Sequence, residues 1–157
     1  MKSRVYVETS VISYLTGRPS RDLVVAAHQQ LTREWWESRA SLFKLFISEL
    51  VIQEASGGDA KAAKRRLDSL QDMPILAVND AALLLADGLI GGGLIPVESA
   101  ADALHVAITA TNGIDYLLTW NYRHLANAAL RQKMQNFIEQ AGFDCPVICT
   151  PEELLED

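Results

Sequence analysis

Four separate stretches of this chain carry side chains that could act together. Glu8 ends the apolar run in "VYVETS" and is followed by two hydroxyls, Thr9 and Ser10. Glu54 stands near the end of "ELVIQEAS", just before Gly57-Gly58. Asp102 lies in "ESAADALHVAIT", where positions 98, 102, 105 and 109 read Glu, Asp, His and Thr along one helical stripe. Thr119, Trp120 and Asn121 close "DYLLTWN". A carboxylate in the last turn of a helix, as at Glu54, meets the negative end of the helix dipole at a cost of ~0.3–1 kcal/mol. Surface helices tolerate that, so the weight of Glu54 comes from the acids it accompanies. Two carboxylates about 5 Å apart repel by roughly 3 kcal/mol at an effective dielectric of about 20. A cluster of Glu8, Glu54 and Asp102 is therefore expected to persist cheaply only if protonated or bound to a cation. Oxygen ligands at a few fixed positions suit Mg²⁺ or Mn²⁺, which keep several waters and accept phosphate oxygens.

The elements that would position these groups alternate between strand and helix. A strand near residues 4–8 leads into a short helix ending near Leu15. Gly17, Pro19 and Ser20 break the pattern, with Ser20 as the expected N-cap of a long amphipathic helix from Leu23 to about Arg39. Trp35 and Trp36 are read as anchoring that helix to the core, with a nucleobase-stacking pair as the alternative. A strand at 42–47, a helix capped by Ser48 and a helix capped by Asp59 follow, then a strand at 74–78 and a helix at 80–90. Gly91-Gly92-Gly93 reads as a connector, because it follows no strand and lacks the Lys-Ser/Thr of a phosphate loop. A helix at 98–113, a strand at 115–120, a helix at about 125–140 and a short "PVIC" strand complete the pattern. This predicts an α/β fold, a single domain over residues 1–157. Its central sheet should be mainly parallel, with four or five strands flanked by helices. Ligands in such folds bind at the carboxyl ends of the strands, where Glu8 and the 119–121 corner fall.

Composition narrows the choices. A formal net charge of −6 argues against coating nucleic acid through bulk charge, but leaves room for a local basic patch. Arg18, Arg21 and Arg123 flank the expected cleft, and "KAAKRR" at 61–66 is the densest basic run, either a contact surface or a solvated helix face. No apolar stretch approaches the ~18 residues of a membrane span. The N-terminus runs straight into a strand pattern without a signal-peptide core, so no membrane association and a cytoplasmic location are expected. Cys145 and Cys149 have no neighbouring ligands to complete a zinc site and read as ordinary thiols. His105, three residues after Asp102, is either a ligand or base, or a hydrogen-bonded structural histidine. His124 is either a substrate contact or a cap.

Taken together, "YVETSVISYL", "ISELVIQEASGG", "ADALHVAITATNGIDYLLTWNYRHLAN" and "ICTPEEL" resemble PIN-domain proteins, in particular the VapC-like toxins of bacterial type II toxin–antitoxin modules. The resemblance spans nearly the whole chain. It implies a PIN-like domain and a metal-dependent endoribonuclease that hydrolyses RNA phosphodiesters with Mg²⁺ or Mn²⁺. It further implies a cognate antitoxin protein as partner and a homodimer. By position it implies Glu8, Glu54, Asp102 and Asn121 as catalytic positions and the first three as metal ligands. Thr9, Ser10, Glu98, Thr119 and Arg123 would surround the substrate.

Two departures stand out. Glu8 replaces the more usual Asp, and Asn121 is neutral where a carboxylate is common. Three acids are adequate for one divalent ion and poor for two, so one well-held metal is expected. Glu98 either adds the missing charge or favours the helix N-terminus. A PIN-like binding module with impaired catalysis is the alternative. An α/β phospho-acceptor domain would want an Asp nucleophile at a strand end, usually with a second Asp nearby and a late Lys. Glu-Thr-Ser and Thr-Trp-Asn stand at the corners where those groups are expected.

Overall fold

A computed structural model describes residues 1–156. Five strands, β1 (Arg4–Val7), β2 (Lys44–Ser48), β3 (Ile75–Leu76), β4 (Tyr116–Leu118) and β5 (Val147–Cys149), form one sheet in the order β3-β2-β1-β4-β5. Every pairing is parallel. Among the described residues, seven α-helices cover it: α1 (Thr9–Thr16), α2 (Leu23–Ser38), α3 (Glu49–Ala55), α4 (Ala60–Ser69), α5 (Asp80–Gly91), α6 (Ala100–Thr111) and α7 (Ala128–Gln140). Helix α1 packs on α2, α3 and α4, while α5 packs on α6 and α7. A parallel sheet covered on both faces needs apolar side chains pointing both ways. Val5, Tyr6 and Val7 are accordingly all fully buried, as are Leu117 and Leu118 beside them.

Helix starts follow local capping chemistry. Ser48, Asp59 and Asn79 each accept a backbone N–H from the first turn of the helix they precede. At α2 the expected cap is displaced. Asp22, not Ser20, accepts from Val25 N, and Ser20 Oγ instead takes the N–H of Asp22.

Other sequence boundaries shift as well: the 42–47 strand begins at Lys44, after a 3-10 turn at Ala40–Leu42, and the 115–120 strand contracts to Tyr116–Leu118. The 74–78 strand contracts to two residues. Glu98 belongs to a separate 3-10 turn, Val97–Ser99, because the backbone at Ser99 leaves helical geometry before α6 begins. It is exposed and falls outside the stripe of Asp102, His105 and Thr109. Residues 121–126 form a turn rather than the start of a helix. The carbonyl of Asn121 accepts both Leu125 N and Ala126 N, and α7 starts only after Asn127. Leu125 is apolar because it plugs the core from this turn. Trp35 is fully buried and packs on Trp36 and Phe43, as the anchoring reading expects.

Candidate functional site

Chain connections run from β1 to β2 on one side and pair β1 with β4 on the other, so the strand order reverses between β1 and β4. That crevice, outside the carboxyl ends of the strands, is where open α/β sheets bind ligands. The register pairs Val7 with Leu118, so the next residues, Glu8 and Thr119, meet across it.

Glu8 is buried and serves as N-cap of α1. Its Oε2 accepts Ser10 N at 3.0 Å, and its Oε1 accepts the hydroxyls of Ser10 at 2.6 Å and Thr119 at 2.5 Å. The same Ser10 oxygen accepts the N–H of Trp120 at 2.9 Å, and Thr119 Oγ1 accepts that of Asn121 at 3.0 Å. These bonds clamp the end of β4 to the start of α1.

Glu54, in the last turn of α3, reaches the same place. Its Oε1 accepts the hydroxyl of Thr9 at 2.6 Å and pairs with His105 Nε2 at 2.7 Å. Partial burial pushes the Glu54 carboxyl up. The hydrogen bond and attraction of His105, together with Thr9, outweigh this and hold it below its ordinary range. The helix end that carries Glu54 is capped from outside: Arg66 donates to the carbonyls of Ala55 and Gly57 at 2.9 and 2.6 Å. Arg65 likewise donates to Thr16 O. Two cations of the "KAAKRR" run thus hold helix ends.

Among the described residues, one group of His, Cys, Asp or Glu side chains converges within 4.8 Å, and it is Glu8, Glu54 and His105. Asp102 is not in that group. It lies one turn before His105 on α6, and its Oδ2 pairs with Nδ1 of His124 at 3.0 Å. Asn121 Oδ1 accepts His124 N at 3.1 Å, so the turn that carries Asn121 also delivers His124 to Asp102. Both histidines touch an expected site acid. The spacing of His105 to Asp102 hinted at the first; nothing in the sequence pairs His124 with Asp102.

Hydrogen-bond donors offset part of the repulsion among these acids: the backbone N–H and hydroxyl of Ser10 and the hydroxyl of Thr119 at Glu8, Thr9 and His105 at Glu54, and His124 at Asp102. Lone pairs remain nonetheless. Among the described residues Glu54 Oε2 and Asp102 Oδ1 have no hydrogen-bond donor, and Glu8 Oε2 has one. A carboxylate oxygen can accept two. These donor atoms fit a hard divalent cation.

An aromatic wall borders the site. Trp120 is buried, donates Nε1–H to Thr32 Oγ1 at 2.7 Å and stacks on His28 with centroids 4.2 Å apart. Tyr122 leans on both rings and is 47% exposed. Arg18, Arg21 and Arg123 are exposed and make no ion pair among the described residues. Burial pushes the thiols of Cys145 and Cys149 up to about 11 and about 12, which favours the neutral thiol over the thiolate at neutral pH. No helix among the described residues is long and apolar enough to cross a membrane.

No protein-family model and no curated protein sequence matches this chain. Solved structures do. A VapBC2 complex from Rickettsia felis bound to a promoter DNA fragment is 14% identical, with a TM-score of 0.58 over 94% of this chain and 98% of that one. VapC20 of Mycobacterium tuberculosis, described as a sarcin-ricin loop cleaving toxin, is 16% identical, with a TM-score of 0.55 over 88% and 95%. VapBC-1 from nontypeable Haemophilus influenzae is 12% identical, with a TM-score of 0.56 over 94% and 98%. Over nearly its whole length, this chain shares the fold of these VapBC and VapC structures, a five-stranded parallel sheet flanked by helices.

Proposed function

We propose that the protein is a divalent-metal-dependent endoribonuclease and the toxin of a toxin–antitoxin pair. The observation that carries the reading is the meeting of Glu8 and Glu54, with Asp102 one helical turn from His105, at the switch point of the sheet. The fold shared with VapC20, described as a sarcin-ricin loop cleaving toxin, supports it. Glu8, Glu54 and Asp102 would hold Mg²⁺ or Mn²⁺. When bound, such an ion neutralises charge on a phosphodiester and acidifies water for attack.

The chain's own groups do the rest. Ser10 and Thr119 fix the Glu8 carboxylate, and Thr9 and His105 fix that of Glu54, so these acids need no reorganisation when substrate arrives. Asp102, oriented by His124, has a free oxygen to accept a proton from water. Asn121 Nδ2 has no partner among the described residues and can donate to a phosphate oxygen. Arg18, Arg21 and Arg123 supply local positive charge on an acidic protein. Glu98 is exposed and outside the cluster, so it meets only the outer substrate. An antitoxin partner goes with the VapBC complexes among the similar folds. A homodimer in the cytoplasm belongs to the same proposal.

The test is cleavage of structured RNA by wild type, Glu8→Ala and Asp102→Ala, with Mn²⁺, Mg²⁺ or chelator. Metal-dependent cutting by wild type, reduced at least ~100-fold in both variants, is expected. Equal cutting by all three proteins marks a contaminant and removes the enzyme. The alternative, a binding module, is favoured by the use of Asn121 Oδ1 as a turn cap. It predicts RNA binding without cleavage.

A further inference from the structure

Behind Glu54 runs a line of polar groups that the reading above leaves unexplained. Val51 N donates to Ser48 Oγ at 3.4 Å, and Ser48 Oγ lies 2.7 Å from Tyr6 Oη. Tyr6 Oη lies 2.6 Å from His105 Nδ1, and His105 Nε2 lies 2.7 Å from Glu54 Oε1. Ser48, Tyr6 and His105 are essentially inaccessible to solvent. They come from β2, β1 and α6, so three elements each bring one polar group into an otherwise apolar core. A phenol and a hydroxyl so placed are costly unless paired, and apolar side chains of like shape would pack as well or better.

The end of the line sets its direction. A carboxylate oxygen of Glu54 accepts, so Nε2 carries the hydrogen. In the neutral imidazole Nδ1 is then the acceptor, Tyr6 Oη donates to it, and Ser48 donates to Tyr6. Every donor has an acceptor, and the tautomer of His105 is fixed from behind. Both ends of the line also lie on α3, since Ser48 is its N-cap and Glu54 is in its last turn. With Thr9 and His105 both on Oε1, that oxygen has its two donors, and Oε2 alone is left to face outward.

We propose that Ser48, Tyr6 and His105 are positioning residues for Glu54. They lock the carboxylate so that one oxygen, Oε2, is offered to a divalent cation, and His105 acts on that ion through Glu54 without ligating it. This rests on the metal-site reading above. A ligating His105 would have to aim its Nε2 lone pair at the ion and give up the bond to Glu54. Partners that orient a ligand from behind typically account for 10- to 100-fold in metal affinity.

The test uses the full chain and Mn²⁺ alone, titrated by the loss of the free-ion EPR signal. His105→Ala is expected to bind Mn²⁺ about 10- to 100-fold more weakly. Tyr6→Phe, which touches neither Glu54 nor the ion, is expected to lose a smaller factor, on the order of 3- to 10-fold, by freeing the tautomer. Urea unfolding without metal shows whether Tyr6→Phe remains folded, and Ser48→Ala is the second variant if it does not. Pulsed EPR of the wild-type Mn²⁺ complex is expected to show no directly coordinated nitrogen. A folded Tyr6→Phe with wild-type Mn²⁺ affinity overturns the proposal, as does a coordinated-nitrogen signal that His105→Ala abolishes. If Tyr6→Phe binds like wild type while wild type cleaves RNA, positioning fails and the nuclease stands. If the affinities fall as expected but no RNA is cut, the nuclease fails and positioning stands.

Discussion

Replacing Thr119 with valine keeps the shape of a fully buried side chain and deletes one hydroxyl. That hydroxyl donates to Glu8 Oε1 at 2.5 Å and accepts Asn121 N at 3.0 Å. A hydrogen bond to a charged group contributes about 1.5–3 kcal/mol, and a polar group stripped of its partner inside the protein costs about 1–3 kcal/mol. Asn121 is half-buried, so water partly replaces its lost acceptor, which places that second cost at the low end. Glu8 keeps both bonds from Ser10. The sum is a loss of roughly 2–4 kcal/mol for Thr119→Val. Thr119→Ser retains both bonds and loses only a methyl, about 1 kcal/mol. Urea unfolding of the three proteins, with unchanged m-values, measures the difference. If valine costs no more than serine, the hydroxyl does not hold Glu8, and the account of how a buried acid is tolerated fails.

Two further outcomes follow from the same geometry. Glu54 titrates below its ordinary 4.5 in the folded protein, so the unfolded chain takes up this proton first as pH falls. Its stabilising contribution is full above about pH 5 and is lost as pH drops through the folded value. Glu54→Gln should flatten that acid limb of the stability curve, and an unchanged limb refutes the assignment. Tyr122→Ala should weaken binding of single-stranded RNA by about 5- to 150-fold in an Asp102→Asn background, the range for one lost base stack, with Tyr122→Phe near wild type. Equal affinity of the alanine and phenylalanine variants in a filter-binding assay removes Tyr122 from the RNA surface.

Much of the fold was legible because its signals are local. Glu8 could be placed at a strand end from the apolar run before it. Ser48 and Asp59 could be assigned as caps because capping involves residues three apart. Boundaries failed where two local signals competed, as at Ser20 against Asp22, or where an apolar residue served a turn, as Leu125 does. The site was half legible. Carboxylates at strand and helix ends violate local preference and so stand out, whereas a histidine in an alanine-rich helix violates nothing. His105 meets Tyr6 across 99 positions and Glu54 across 51. No spacing rule reaches that far.

By itself, then, the sequence determined the alternation of parallel strands and helices and the presence of acids at their carboxyl ends, since periodicity, caps and breakers act over a few residues. Only the tertiary structure decided which donors surround those acids, that His105 joins Glu8 and Glu54 while Asp102 pairs with His124, and which oxygens stay open. Hydrogen bonds are decided by fractions of an ångström between side chains. Those distances exist only once strand register and helix packing have brought remote segments together.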